Sequence, residues 1–286
     1  MSQDLLQWLK DVVDRDEEDY FFKVEASRED PTIGNWQKLY GLSHLCYAMA
    51  VKRLVLEKNV IEYKQQLYKS GRYLELFILS ERLNAPHHPR YVKGLSVFRS
   101  TADYYDGFYS PLISQNKRLI ESMAHLIGWR GEEEDFKAND LNPELGHFGF
   151  AVKYIMLRED EKATKHLETL SNMKMNRMQK KSFQEDMFVL KGILKQNPEQ
   201  VNEGLAQILK SVKKMRKRVD ILAKFYAHPV AGLGWLAQYR GINVEIDDPL
   251  CPREIFQTQQ FVYPEADWIP EDLKDKTWKD FVAGNY

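Results

Sequence analysis

Residues 197–256, which begin Asn197-Pro198-Glu199, carry the clearest structural pattern in the chain. Asparagine is a preferred N-cap residue, and proline is favoured at the first helical position because it has no amide hydrogen to leave unpaired. Apolar side chains then recur at steps of three and four residues, which places them on one side of a helix: Val201, Leu205, Ile208, Leu209, Val212, Met215, Val219 and Leu222. The opposite side carries Lys210, Lys213, Lys214, Arg216, Lys217 and Arg218. The pattern predicts an amphipathic helix with a basic outer face.

A second helix is predicted over residues 228–241, a segment rich in Ala, Gly and Leu. We interpret His228-Pro229 as its N-terminal boundary, and Gly241 as its stop. Gly232 and Gly234 have apolar neighbours and no preceding strand, so they are not expected to cradle a phosphate. Small side chains at these positions are expected to let a neighbouring helix come close.

The segment that follows predicts a change of structure. Residues 242–246 alternate apolar and polar side chains, which is typical of a short strand. Residues 247–255 contain Asp247-Asp248-Pro249, which predicts a turn, and then Pro252-Arg253, which predicts another helical start.

This order of elements resembles the C-terminal part of the immunity protein 49 family of bacterial polymorphic toxin systems. In that family an amphipathic helix precedes an Ala/Gly/Leu-rich helix that ends in Arg-Gly-Ile, here Arg240-Gly241-Ile242. An acidic extended piece and a Pro-Arg helix start come next, here at Pro252-Arg253. The resemblance covers residues 198–256, about a fifth of the chain. It implies an antidote that binds a toxin.

Composition restricts the class of protein. The chain has 286 residues, 43% of them hydrophobic, which is enough for a sizeable core. Its net charge of -1 favours neither nucleic acid nor a membrane surface as a partner. The only cysteines, Cys46 and Cys251, lie far apart, which fits a reducing compartment. No signal peptide and no apolar run of about 20 residues is found, so a cytoplasmic location is expected.

Most of the remaining chain has helical periodicity. Helices are predicted over 2–29, 30–58, 60–83 with a break at Ser70-Gly71, 89–110, 112–128, from 142, over 161–170 and over 175–195, the last two as a pair. Tyr20-Phe21-Phe22 is expected to dock back on the body. The tail is expected to form a cap with short helices around Trp268 and Trp278. The fold class is therefore all-α, as stacked antiparallel helical hairpins with at most one short β element near 243–246.

The helices are expected to form a single domain over residues 1–286. The best place for a seam is 131–141, between an N-terminal half (1–130) and a C-terminal half (142–286). Glu132, Glu133, Glu134 and Asp135 make this the most acidic run in the chain.

No grouping of residues predicts catalysis. The seven histidines are scattered, and no His-x-x-x-His spacing is present that would indicate a metal site on a helix. No Ser/His/Asp or Cys/His grouping indicates a nucleophile. We expect no catalytic residue, no cofactor, no metal and no small-molecule substrate, and therefore a protein that is not an enzyme.

Charge is the most informative surface property. Residues 174–224 contain 13 basic and five acidic side chains, whereas 4–30, 132–144 and 245–280 lean acidic. Either these charges neutralise each other across the fold, or they steer a charged partner. The candidate partner-binding residues are therefore Lys210, Lys213, Lys214, Lys217 and Arg218, or the acidic Glu132, Glu133, Glu134, Asp135, Asp247 and Asp248.

Three functions fit this description. The first is a cytoplasmic immunity protein that binds a cognate antibacterial toxin and blocks its active site or its access to substrate, as in competition between bacteria. The second is a helical-repeat scaffold or regulator that binds another protein or a peptide. The third is a regulator that binds nucleic acid, for which no known reader motif is present.

Overall fold

The protein is described here from a computed structural model, which covers residues 3–29, 35–84, 105–128, 132, 143–175, 177–215 and 222–282. Eleven α-helices lie within these ranges: α1 (Gln3–Glu29), α2 (Asn35–Val55), α3 (Val60–Asn84), α4 (Tyr109–Ser114), α5 (Lys117–Leu126), α6 (Pro143–Leu157), α7 (Asp160–Asn172), α8 (Arg177–Leu194), α9 (Pro198–Met215), α10 (His228–Tyr239) and α11 (Trp278–Val282). Short 3-10 helices occur at Tyr105–Phe108, Leu222–Lys224, Arg253–Phe256 and Glu271–Leu273. None of the described helices is both long and apolar enough to cross a bilayer.

The all-α prediction is confirmed, but the strand predicted at 242–246 does not form. The segment does alternate between buried and exposed side chains, because Ile242, Val244 and Ile246 are buried and the residues between them are exposed. No described strand lies beside it. Instead Asn202 of α9 donates to the carbonyl oxygen of Asn243 (3.1 Å) and accepts from the amide of Glu245 (2.8 Å). One side chain thus supplies the hydrogen bonds that a neighbouring strand would have made.

Helical hairpins are the main packing unit. Helix α2 packs against both α1 and α3. Helix α6 pairs with α7, and α8 pairs with α9. The helices predicted as a pair over 161–170 and 175–195 do contact each other, but each makes its larger contact with its other neighbour in sequence.

Helix α10 is almost entirely buried. Its residues from Val230 to Ala237 are buried, and it packs closely on α4. A Cβ atom placed on Gly232 would lie 2.1 Å from Cγ of Tyr109, and one on Gly234 would lie 2.5 Å from Cε1 of Phe256. The prediction that these glycines permit close approach is confirmed.

The boundaries of the N-terminal helices differ from the prediction. Helix α3 continues through Ser70-Gly71 without a break. Ser110-Pro111 lies inside α4 and does not end a helix there. The predicted helix 112–128 is two helices, because Gln115 has a φ of 63° and Asn116 caps α5 by accepting from the amide of Leu119 at 2.9 Å. The predicted helix over 89–110 lies mostly outside the described residues.

The seam predicted at 131–141 also lies outside the described residues, apart from Glu132. Helices on both sides of it contribute to one cluster of buried apolar side chains, from Leu9 in α1 to Trp235 in α10. Trp268 in the tail belongs to the same cluster, and the tail contains the predicted short helices.

Candidate partner-binding surface

The basic candidates lie on the outer side of α9. Lys210, Lys213 and Lys214 are exposed, whereas Lys217 and Arg218 lie outside the described residues. Lys213 forms an ion pair with Asp248, so one basic candidate and one acidic candidate are partners of each other. This ion pair favours the alternative in which basic and acidic side chains neutralise each other across the fold. It also weakens the positive potential that would attract a nucleic acid to α9.

Asp247 and Asp248 also have local structural roles. The carboxylate of Asp248 accepts from the amide of Leu250 at 3.1 Å, and that of Asp247 accepts from the amide of Arg253 at 3.4 Å. Both side chains hold the turn that leads into the 3-10 helix Arg253–Phe256. Their oxygen atoms are thus already engaged within the chain.

Glu132 takes part in a polar cluster with α6 and α7, while Glu133, Glu134 and Asp135 lie outside the described residues. Its carboxylate accepts from the Tyr154 hydroxyl at 2.7 Å and lies 3.3 Å from Nε2 of His166. Nδ1 of His166 lies 2.9 Å from Nδ1 of His147, and burial together with the His166 ring lowers the pKa of His147 to about 4. Burial also lowers the pKa of His166, and the short contact requires that one Nδ1 donate to the other. Within the described ranges no three His, Cys, Asp or Glu side chains are arranged to hold a metal ion.

Sequence reasoning did not find a buried carboxylate at Glu75. This side chain of α3 is fully buried and accepts from Arg72 on the same helix and from Arg118 and Ser122 on α5. The two guanidinium groups compensate the charge of the carboxylate, since burying a charge without a partner is costly. The cluster joins α3 to α5 and has a structural role.

Lys64 is a second buried ionisable side chain, and its neighbours in the sequence do not indicate that it is buried. The side chain is fully buried, with Nζ 2.6 Å from the carbonyl oxygen of Gln257 and 4.9 Å from the centre of the Trp235 ring. Burial lowers the pKa of Lys64 to about 7. The amine fixes the segment that follows the 3-10 helix Arg253–Phe256 against α3.

Lys64 is expected to make stability rise with pH. Its pKa is lower in the native state than in the unfolded chain, so between pH 7 and 10.5 the unfolded state binds more protons. From pH 7.5 to 8.5, the free energy of unfolding of the wild type minus that of Lys64→Met should rise by roughly 1 kcal/mol. Urea denaturation at both pH values measures this difference, with the exposed Lys117→Met as the control that should follow the wild type. Parallel pH dependences of the wild type and Lys64→Met would contradict the assignment.

Helix α1 presents an exposed aromatic pair. Tyr20 packs into the body as predicted, but Phe21 is 61% and Phe22 is 72% exposed, so the prediction that all three dock is wrong for the two phenylalanines. The buried stripe of α1 runs through Leu9, Val13, Tyr20 and Val24. Successive helical residues are turned by about 100°, so Phe21 and Phe22 fall outside that stripe.

Carboxylates surround this aromatic pair. Helix α1 contains nine acidic and four basic side chains. We call its outward face the acidic aromatic surface, formed by the exposed residues Asp4, Asp11, Glu18, Phe21, Phe22 and Glu25. Aromatic side chains with a charged rim are typical of protein interfaces.

The inner side of α1 is fixed to the rest of the fold. Lys52 of α2 lies 2.6 Å from the carboxylate of Asp14 and 2.8 Å from that of Glu17. The hydroxyl of Tyr20 lies 3.0 Å from that of Tyr73 and donates to Asp267 in the tail. These contacts hold α1 in place, so the acidic aromatic surface has a defined geometry.

A shallow apolar cavity lies between α7 and α8. Its volume is about 280 Å³, and its apolar lining is Leu170, Met173, Met175, Met187 and Phe188. Lys180 and Lys191 also line it, and Nζ of Lys191 donates to the Ser171 hydroxyl at 3.0 Å. The volume is small for a ligand pocket, and methionine-rich surfaces adapt to apolar side chains of a partner.

Comparison of the chain with protein-family models, with curated proteins and with solved structures finds no match.

Proposed function

We propose that the protein is an immunity protein that binds a cognate toxin in the cytoplasm and blocks its active site or its access to substrate. The observation that carries this proposal is the exposed pair Phe21 and Phe22 in an acidic helix. Two exposed phenyl rings on successive residues are costly in water and become favourable when a partner covers them. The resemblance of residues 198–256 to an immunity family supplies the class of partner.

Inhibition of this kind requires binding and no chemistry by the antidote. Aromatic anchors at the centre of an interface provide most of the affinity, and charges around them raise the rate of association. The contacts of Asp14, Glu17 and Tyr20 hold α1 rigid, so little conformational entropy is lost when a partner binds.

Co-expression tests the proposal. The toxin C-terminal domain encoded beside this gene should stop growth when expressed alone, and this protein should restore growth and co-purify with the toxin domain. A catalytically inactive toxin domain is the control for binding without toxicity, and it should co-purify equally well. If growth is not restored and no complex is recovered, the immunity function is wrong.

The second candidate function is a scaffold or regulator that binds a peptide, and the cavity between α7 and α8 is the observation that favours it. Its methionine-rich lining suits an apolar side chain, and Lys180 and Lys191 suit a nearby carboxylate. Reversing the charge of both lysines would then weaken binding of the partner. Under the immunity proposal the same double substitution leaves toxin binding intact, so this variant separates the two functions.

A further inference from the structure

The acidic aromatic surface has a regular arrangement along α1. Asp4, Asp11, Glu18 and Glu25 recur every seven residues and are all exposed. Seven residues are about two helical turns, so these carboxylates form one stripe with a spacing of roughly 10.5 Å and a total length of roughly 31 Å. The stripe follows the length of the helix.

The two phenylalanines lie within this stripe. Phe21 and Phe22 are three and four residues after Glu18, and four and three residues before Glu25. Side chains at these spacings are neighbours on a helix surface. The aromatic anchors therefore lie between two exposed carboxylates.

Within the described residues the carboxylates of the stripe are not neutralised by ion pairs, although Asp11 accepts a hydrogen bond from the side-chain amide of Gln7 at 2.7 Å. No described residue forms an ion pair with Asp4, Asp11, Glu18 or Glu25, whereas Asp14 and Glu17 on the inner side pair with Lys52 and Arg53. Exposed basic groups are fewer on the helix, with Lys10, Arg15 and Arg28 against six exposed carboxylates. The outward field of α1 is consequently negative.

We propose that the acidic aromatic surface docks into the basic, phosphate-binding cleft of a toxin that acts on nucleic acid. This inference rests on the proposed immunity function and identifies the partner by its chemistry. A cleft that binds a polyanion carries lysine and arginine side chains along its length. A rigid stripe of carboxylates matches such a cleft in charge, and the two phenyl rings supply the apolar contact that fixes its position.

The mechanism is competition for the cleft. With α1 bound, the carboxylates occupy the place of the nucleic-acid backbone, and substrate is excluded without any change in the toxin's catalytic groups. The charges are expected to act mainly on the rate of association, and the phenyl rings mainly on the rate of dissociation.

The test measures binding of purified variants to the inactive toxin domain encoded beside this gene. Glu18→Lys/Glu25→Lys should slow association at least about tenfold at low salt, with a smaller effect at high salt. Phe21→Ala/Phe22→Ala should weaken affinity about 30-fold through faster dissociation. Circular dichroism and urea denaturation establish that each variant is folded, since exposed substitutions change stability little.

The matched control reverses two other exposed carboxylates with the same spacing. Glu161→Lys/Glu168→Lys on α7 makes an equal change in net charge and should bind like the wild type. A single-stranded oligonucleotide added as competitor should displace the wild-type protein from the toxin domain.

The outcomes are distinct. If the α1 variants bind like the wild type while the wild type still protects cells, the docking surface is wrong and the immunity function stands. If the α1 variants lose binding but the oligonucleotide does not compete, the partner is not a nucleic-acid cleft. If the wild type forms no complex, the immunity function and this inference fail together.

Discussion

Glu75→Gln is expected to lower the free energy of unfolding by about 3 kcal/mol, because it leaves two guanidinium groups without their buried counter-charge. Arg72 and Arg118 both donate to this carboxylate, and Ser122 donates to one of its oxygens. Removing one partner of a buried ion pair costs roughly 3–5 kcal/mol. We expect the lower end of that range because the Arg118 side chain is 49% exposed and can be solvated.

Urea denaturation followed by circular dichroism measures this change. The control is Glu121→Gln, which removes an exposed carboxylate beside Ser122 and should change stability by no more than about 0.5 kcal/mol. Equal midpoints for the two variants would mean that the Glu75 cluster does not hold α3 to α5.

Gly232→Ala is expected to destabilise the protein by about 2–3 kcal/mol, although alanine is the better helix former. The new Cβ would lie 2.1 Å from Cγ and 2.7 Å from Cβ of Tyr109. These atoms are at the base of a buried side chain and move only if α4 moves away from α10. Separating the two helices loses contacts throughout the centre of the core.

Gly41→Ala is the matched control for this prediction. It also lies in a helix, but its nearest neighbour to an added Cβ is Nζ of Lys23 at 3.9 Å. Alanine there should raise stability by up to about 1 kcal/mol, since glycine is the more flexible residue in the unfolded chain. Thermal unfolding of both variants should therefore shift the midpoint in opposite directions, and shifts of the same sign would contradict the close packing at Gly232.

The class of partner and the location of its binding surface rest on different observations. The class of partner comes from the resemblance of residues 198–256, which concerns the order of helices and turns. The location of the surface comes from the exposure of Phe21 and Phe22 and from the carboxylates around them. A toxin that binds elsewhere would overturn the proposed docking surface and leave the immunity function intact.

Helix positions were the most predictable property of this chain. Asn197 caps α9 by accepting from the amide of Gln200 at 3.0 Å, and Gly241 ends the segment after α10 with a φ of 89°. Helix caps, helix stops and apolar periodicity depend on residues three or four positions apart, so they can be recognised in the sequence alone. Ser110-Pro111 is an exception, because proline is tolerated in the first turn of a helix and does not have to end one.

The candidate surface was less predictable from the sequence. The sequence marked acidic and basic runs, but it could not show that Lys213 and Asp248 are partners, since they are 35 residues apart. It also placed Phe21 and Phe22 with Tyr20. The buried stripe that contains Leu9 and Val13 continues, in steps of three or four residues, to Tyr20 and Val24. Both phenylalanines lie outside this stripe, so helical periodicity in the sequence is enough to predict their exposure.

Local patterns in the chain are enough to predict an all-α protein, the ends of several helices, and the glycines that face a close neighbour. These are consequences of backbone hydrogen bonding and of apolar periodicity within one helix. Helix packing, in contrast, is needed to find that Asn202 replaces a strand beside residues 242–246 and that Glu75 and Lys64 are buried. It is also needed to find that the outer carboxylates of α1 have no ion-pair partner in the described chain. Each of these depends on which side chains from distant parts of the chain come within a few ångströms, and that is set by helix packing.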